Sequence, residues 1–154
     1  MRALTHYLFS AGLALYLLSY VHEMGLVEVL LAVWLSFAVN ALIDGLGHRS
    51  KNGRPARTWI THSVVTAPFW GALAGVGTIL AVNYLGAGTA GQTVFWAGLG
   101  CLIAFGHLFL DSLTEGGVFW LTRRVALAHF KYNNPVLNGT FALLGLVLVA
   151  TALA

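Results

Sequence analysis

An all-α fold, with about five transmembrane helices in one bundle, is the class this sequence predicts, and three observations carry it. The chain is 58% hydrophobic and only 8% charged over 154 residues, whereas soluble globular domains carry roughly 25% charged residues. The apolar residues fall into five runs, four of them close to the ~20 residues a helix needs to cross a bilayer and the first a little shorter. The basic residues all fall in the gaps that five spans would place on one side. Together these leave room for a single integral membrane domain over residues 1–154 and for no separate soluble domain.

The first run, Leu4–Tyr20, ends at the polar pair His22-Glu23 and Gly25; with the second, Leu26–Ile43, it reads as a helical hairpin. A signal peptide is the other reading of Arg2 followed by an apolar stretch, but no clean small-x-small cleavage site follows. The third run, Val64–Leu85, contains Gly71-Ala-Leu-Ala-Gly75, a face of small residues that lets another helix approach closely. The fourth is Thr93–Leu113 and the fifth Val136–Ala154. Between them, Val118–Tyr132 mixes Phe119, Trp120 and Leu121 with Arg123, Arg124 and Lys131, the composition of a helix lying in the membrane interface; a basic loop is the alternative.

Orientation follows from the cations. Arg2 precedes the first span, Arg49, Lys51, Arg54 and Arg57 lie between the second and third, and Arg123, Arg124 and Lys131 lie between the fourth and fifth. The loops around His22-Glu23 and Gly86–Gln92 contain neither lysine nor arginine. The positive-inside rule then puts the N-terminus in the cytoplasm and the C-terminus outside. Anionic lipid headgroups account for the net charge of +3, so membrane lipid is the expected partner and nucleic acid is not. The single cysteine, Cys101, sits in an apolar run and excludes an intrachain disulfide or a thiolate zinc site.

On this map the remaining polar groups gather at one level. His6 opens the first span, Asp44 and His48 close the second, His62 opens the third, and His107 with Asp111 lies near the end of the fourth. Ionisable groups at membrane depth are costly and normally have a partner or a function. His107 and Asp111, four apart, share a helix face, and Asp44 and His48 repeat the spacing. Gly45 and Gly47 between that second pair suggest an unwinding helix end where backbone can come close to an ion. Taken singly, each pair or histidine also fits a hydrogen-bonded structural group.

Imidazole with carboxylate and no thiolate suits a divalent metal, zinc or manganese, as one ion or two. Such an ion acidifies bound water when a coordination position is open. Arg49, Arg57 and Thr61 are placed to hold a substrate phosphate, although arginines at this depth also snorkel to headgroups. The sequence Gly86-Ala-Gly88-Thr-Ala-Gly91 matches a dinucleotide fingerprint only in letters, since it lacks the preceding strand that fingerprint requires.

Thr5-His6, Asp44-x-x-Gly47-His48, Arg57-x-x-x-Thr61-His62-Ser63 and Gly106-His107-x-x-x-Asp111-Ser-Leu-Thr114-x-x-Gly117-Val118 resemble the YdjM-like, DUF457-type membrane-bound metal-dependent hydrolases, and in particular their small archaeal relatives, DUF1286. The resemblance implies a helical fold distantly similar to zinc-dependent phospholipase C and the S1/P1 nucleases. It implies that the catalytic residues Asp44, His62, His107 and Asp111 surround a first metal, with His6 and Asp111 helping to hold a second. No later His-x-x-x-Glu pair completes a three-metal cluster, for His129 has no acid four residues on. The function expected is hydrolysis of a phospholipid or other phosphate ester at the cytoplasmic face. The alternatives are a small transporter or ion-handling membrane protein, or a non-catalytic structural membrane protein with a polar His/Asp cluster.

Overall fold

A computed structural model describes residues 1–21, 24–51, 54–86 and 92–154, and the side chains of residues 49–51, 54 and 55 are not among those described. The chain is mainly helical, in the order α1 (Ala3–Leu18), α2 (Leu26–Gly47), β1 (His48–Lys51), β2 (Arg54–Arg57), α3 (Trp59–His62), α4 (Thr66–Tyr84), α5 (Thr93–Ser112), β3 (Val118–Trp120), β4 (Arg123–Val125) and α6 (Pro135–Leu153). Among the described residues four helices, α2, α4, α5 and α6, are long and apolar enough to cross a membrane. The 16 residues of α1 make a shorter rod of about 24 Å. The His22-Glu23 loop, and the fingerprint-like glycines after Gly86, lie outside the described residues.

Two close helix pairs organise the bundle. In α4 and α5, which run antiparallel, a Cβ on Gly71 would strike the Gly100 carbonyl and one on Gly75 the Trp96 carbonyl. The small face expected in the third run therefore seats α5 at backbone contact. The second pair, α1 with α6, runs parallel and crosses where Gly12 meets the Gly145 carbonyl and Gly145 meets Leu8. Asn138 ties the starts of these two helices together: its Oδ1 accepts from the Arg2 amide at 3.0 Å and from the Thr5 hydroxyl at 2.8 Å. Its Nδ2 donates to the carbonyls of Tyr132 and Asn134. Inside, Leu15, Leu18, Leu35, Val39, Ile79, Trp96, Leu99 and Ile103 form one apolar core.

The result is that the starts of α1, α4 and α6 and the ends of α2 and α5 share one end of the bundle. The two hairpins cover that end. In the first, β1 pairs antiparallel with β2 and sets His48 opposite Arg57. The second, β3 with β4, corrects the expected interfacial helix over 118–132. Val118, Phe119 and Trp120 have strand propensity and follow Gly116-Gly117, with Gly117 at φ 58°. What decides the conformation is tertiary: the Val64 amide donates to the Phe119 carbonyl, and the amides of Leu127 and Ala128 donate to the Ser112 carbonyl.

Candidate metal centre

Three spans or their flanks bring Asp44, His62, His107 and Asp111 together, with one ligand atom of each lying within 4.8 Å of all the others. His62, His107 and Asp111 are buried to 1% exposure or less, whereas Asp44 is 32% exposed. The access side is therefore the end of α2. His107 Nε2 stands 3.5 Å from Asp44 Oδ1 and 3.3 Å from Asp111 Oδ2. His62 Nε2 stands 3.5 and 3.7 Å from the same two oxygens. Four ligands at ~2.0 to 2.2 Å from a tetrahedral ion are separated by about 3.3 to 3.6 Å. The four His–Asp separations are close to those of adjacent ligands around one such ion.

The hydrogen bonds behind the ring nitrogens fix which atoms face the centre. Asn40 donates from Nδ2 to the Ser10 hydroxyl at 3.0 Å and to the Ser36 carbonyl at 2.7 Å. Its Oδ1 is thus the acceptor turned to His107 Nδ1, 2.7 Å away, which must carry the proton. The Thr61 hydroxyl donates to the Ile43 carbonyl at 2.8 Å and is left to accept from His62 Nδ1 at 3.1 Å. Both histidines consequently turn a bare Nε2 lone pair inward. His62 Nε2, His107 Nε2 and Asp111 Oδ2 are buried without a hydrogen-bond partner. Burial also holds the His62 imidazole below the ordinary histidine pKa, with the Asp44 carboxylate opposing, and this favours the neutral ligand form. A group of acceptors facing one another without a donor is satisfied by a cation.

Asp111 divides its two oxygens. While Oδ2 faces the centre, Oδ1 meets the Met1 ammonium at 2.7 Å, Arg57 Nη2 at 2.6 Å and His6 Nε2 at 3.2 Å. His6 lies stacked on His107, ring centroids 4.1 Å apart, so it is beside the quartet rather than in it. His48, half-exposed, donates from Nδ1 to the Asp44 carbonyl at 2.8 Å and sets its ring edge-on to His62 at 5.1 Å. Arg57 is not splayed to the surface: besides Asp111 it donates to the Gly117 carbonyl at 2.8 Å and lies 3.4 Å from the Thr114 hydroxyl. Thr61 is buried behind His62, away from the opening. The Arg49 side chain lies outside those described.

Gly47 plays a different part from the one its type suggested. Helix α2 does not unwind at Gly45; it continues through Gly47. A Cβ at Gly47 would overlap the Thr61 hydroxyl and come within 2.6 Å of the His62 ring atoms. The glycine makes room for the ligand and its hydrogen-bond partner. Asn40, Ser10 and Ser36 were not singled out from the sequence, although Ser36, Asn40 and Asp44 recur every four residues along an α2 that is otherwise apolar beyond Glu28 in its first turn.

The profile of one family matches residues 1–110, and it carries the description "Protein of unknown function (DUF1286)". The chain belongs to the DUF1286 family. The match takes in His6, Asp44, His48, His62 and His107 and stops just short of Asp111. No curated protein and no solved structure matches the chain.

Next to the quartet is a cavity of about 630 Å³ whose walls include His48, Arg57, Thr114, Phe119, Arg124 and Tyr132. It has the size of an ordinary small-molecule site.

Proposed function

We propose that this DUF1286 protein is a membrane-embedded, divalent-metal-dependent hydrolase acting on a phosphate ester at the cytoplasmic face. The observation that carries the reading is the set of ligand atoms of His62, His107, Asp44 and Asp111 within 4.8 Å of one another, those of His62, His107 and Asp111 buried without a hydrogen-bond partner. Zinc or manganese are the ions this donor set suits. When bound, such an ion supplies a Lewis acid and a water acidified towards neutral pH. The resemblance of the site's motifs to the YdjM-like hydrolases supports the same class.

The chain's own residues divide the remaining work. Arg57, held against Asp111 and Thr114, presents a guanidinium on the cavity wall where a phosphate oxygen would be bound. Because His48 Nδ1 is committed to the Asp44 carbonyl, its Nε2 is left to accept or deliver a proton in the cavity. His6 and the Met1 ammonium orient and neutralise the Asp111 oxygen that points away from the centre. The cytoplasmic placement rests on the basic residues, all of which lie in segments at the site end of the bundle.

A proton or cation path is the weaker reading. Among the described residues the polar chain from His107 ends at Ser10 and Ser36, and beyond it the bundle is filled by Leu15, Leu18, Leu35 and Trp96. Metal analysis of the detergent-purified protein tests the proposal. One or more zinc or manganese ions per chain, lost in His107→Ala, is the expected result. A wild-type protein that carries no stoichiometric divalent ion and takes up none from zinc or manganese would remove the basis for hydrolysis.

A further inference from the structure

The β3–β4 hairpin has a composition and a placement that a water-exposed loop would not need. Its strands are joined by a two-residue turn, Leu121-Thr122, because Trp120 pairs with Arg123. Leu121 adopts a left-handed φ of 56°, a conformation that glycine, asparagine or aspartate enters far more easily than leucine. The tip is nevertheless apolar, and Trp120 and Leu121 are 64% and 58% exposed.

The direction of the hairpin is fixed by α4. Phe119 bridges Ser63 in parallel, and its carbonyl accepts from the Val64 amide at 3.0 Å. Strand β3 therefore runs the same way as the chain that enters α4. It carries Trp120 and Leu121 past the start of that spanning helix, where Val65, its N-cap, and Phe69, in its first turn, are also exposed. The tip thus adds exposed apolar side chains near those at the start of α4.

The other side of the hairpin closes the site. Half-buried Phe119 and exposed Arg124 line the same cavity as His48 and Arg57. Arg124 is held at the cavity by bonds from Nε to the Gly116 carbonyl at 2.6 Å and from Nη2 to the Glu115 carbonyl at 2.8 Å. One thin element thus separates an arginine-lined cavity from the apolar exterior.

We propose that the Val118–Val125 hairpin dips Trp120 and Leu121 into the cytoplasmic leaflet, and that the cavity behind it takes an anionic amphiphile sideways from that leaflet. The headgroup phosphate lies between Arg57 and Arg124, and the acyl chain leaves past Trp120. This names the ligand class for the site and rests on the hydrolase reading for the chemistry, not for the binding.

The test uses the full-length protein in nanodiscs of phosphatidylcholine with one-tenth phosphatidic acid, with a chelator present so that no turnover intervenes. In a Cys101→Ser background, a nitroxide on Leu121→Cys should be relaxed by oxygen and shielded from a water-soluble nickel chelate, and one on Asn133→Cys should show the reverse. Equal exposure of both labels to the chelate would overturn the insertion. Phosphatidic acid retained through detergent purification, read by native mass spectrometry, should be about one per chain and fall about tenfold in Leu121→Asp as apolar contact with the lipid is lost. Inorganic phosphate should displace it poorly. Undiminished retention in a folded Leu121→Asp protein, or displacement by phosphate as effective as by lipid, would overturn the amphiphile. Because neither readout measures metal or hydrolysis, both survive a failure of the proposed chemistry.

Discussion

Asn40→Leu separates a metal centre from a structural polar cluster, because it removes no ligand. Asn40 acts only through His107: its Oδ1 accepts from Nδ1 at 2.7 Å, and its own amide is pinned by Ser10 and Ser36. Leucine occupies a similar volume but leaves the imidazole free to rotate and its Nδ1 proton buried without an acceptor. Loss of a partner behind a metal-bound histidine typically costs 10- to 100-fold in affinity, which is about 1.4 to 2.7 kcal/mol. The stranded donor costs a further ~1 to 3 kcal/mol of stability, offset in part by burying leucine instead of an amide. Zinc affinity measured by competition with a chromophoric chelator in detergent, beside thermal unfolding, reads the two effects separately. His107→Ala sets the reference for loss of a ligand. Zinc affinity in Asn40→Leu equal to that of the wild type, with only the unfolding temperature changed, would refute the argument that Asn40 aims His107 at an ion.

The other perturbations test neighbouring links. His107→Ala should lower bound metal while the helices still insert, since their insertion energy comes from the hydrocarbon; metal content is read by elemental analysis. Asp111→Ala should cost more, about 3 to 5 kcal/mol, because Arg57 and the Met1 ammonium lose a buried counter-charge; chemical or thermal unfolding checks it. Gly47→Ala should displace Thr61 and His62 and weaken metal binding at least tenfold by the same loss of ligand orientation. Gly45→Ala, two residues away with nothing within 4 Å of its new methyl group, should leave zinc affinity unchanged. For topology, a thiol reagent applied outside intact cells should label Tyr84→Cys, which is 92% exposed at the end far from the site, and not Asn133→Cys.

Much of the bundle is legible in the sequence because the bilayer imposes it. A run such as Leu26–Ile43 has few options other than a helix, and the helix observed, Leu26–Gly47, differs mainly at its end. The His/Asp cluster was legible for the same reason: a histidine or aspartate in such a run stands out against an apolar background. Asn40 and Ser36 were missed because uncharged polar residues are common enough in spans to pass as packing, although their spacing of four from Asp44 was a usable signal. The 118–132 segment misled because amphipathic composition does not distinguish a surface helix from a hairpin. Its strand conformation depends on Val64 and Ser112, partners remote in sequence. Gly47 was read as a break in α2 when its small size serves His62, a contact that only the packing of α3 against α2 creates.

The charges around Asp111 explain why the site can be built within a membrane protein and what it would favour. With neutral histidines, the carboxylates of Asp44 and Asp111 are balanced by Arg57 and the Met1 ammonium, so the metal-free site carries little net charge. That balance matters because an isolated charge taken out of water costs several kcal/mol even after relaxation. The balance is uneven in space, however: both cations lie on the Oδ1 side of Asp111, while Oδ2 and Asp44 Oδ1 face the two bare imidazole nitrogens. A divalent cation is therefore attracted to the second side without displacing the first. Once there it leaves the site with an excess positive charge that only an anion can offset, and the cavity walled by Arg57 and Arg124 is where that anion would lie. Metal and phosphate should consequently bind with positive coupling. The expected outcome is that inorganic phosphate or a phosphate ester raises zinc affinity in the wild type, and that Arg57→Gln weakens this enhancement. Zinc affinity indifferent to phosphate would show that the two charges do not share one site.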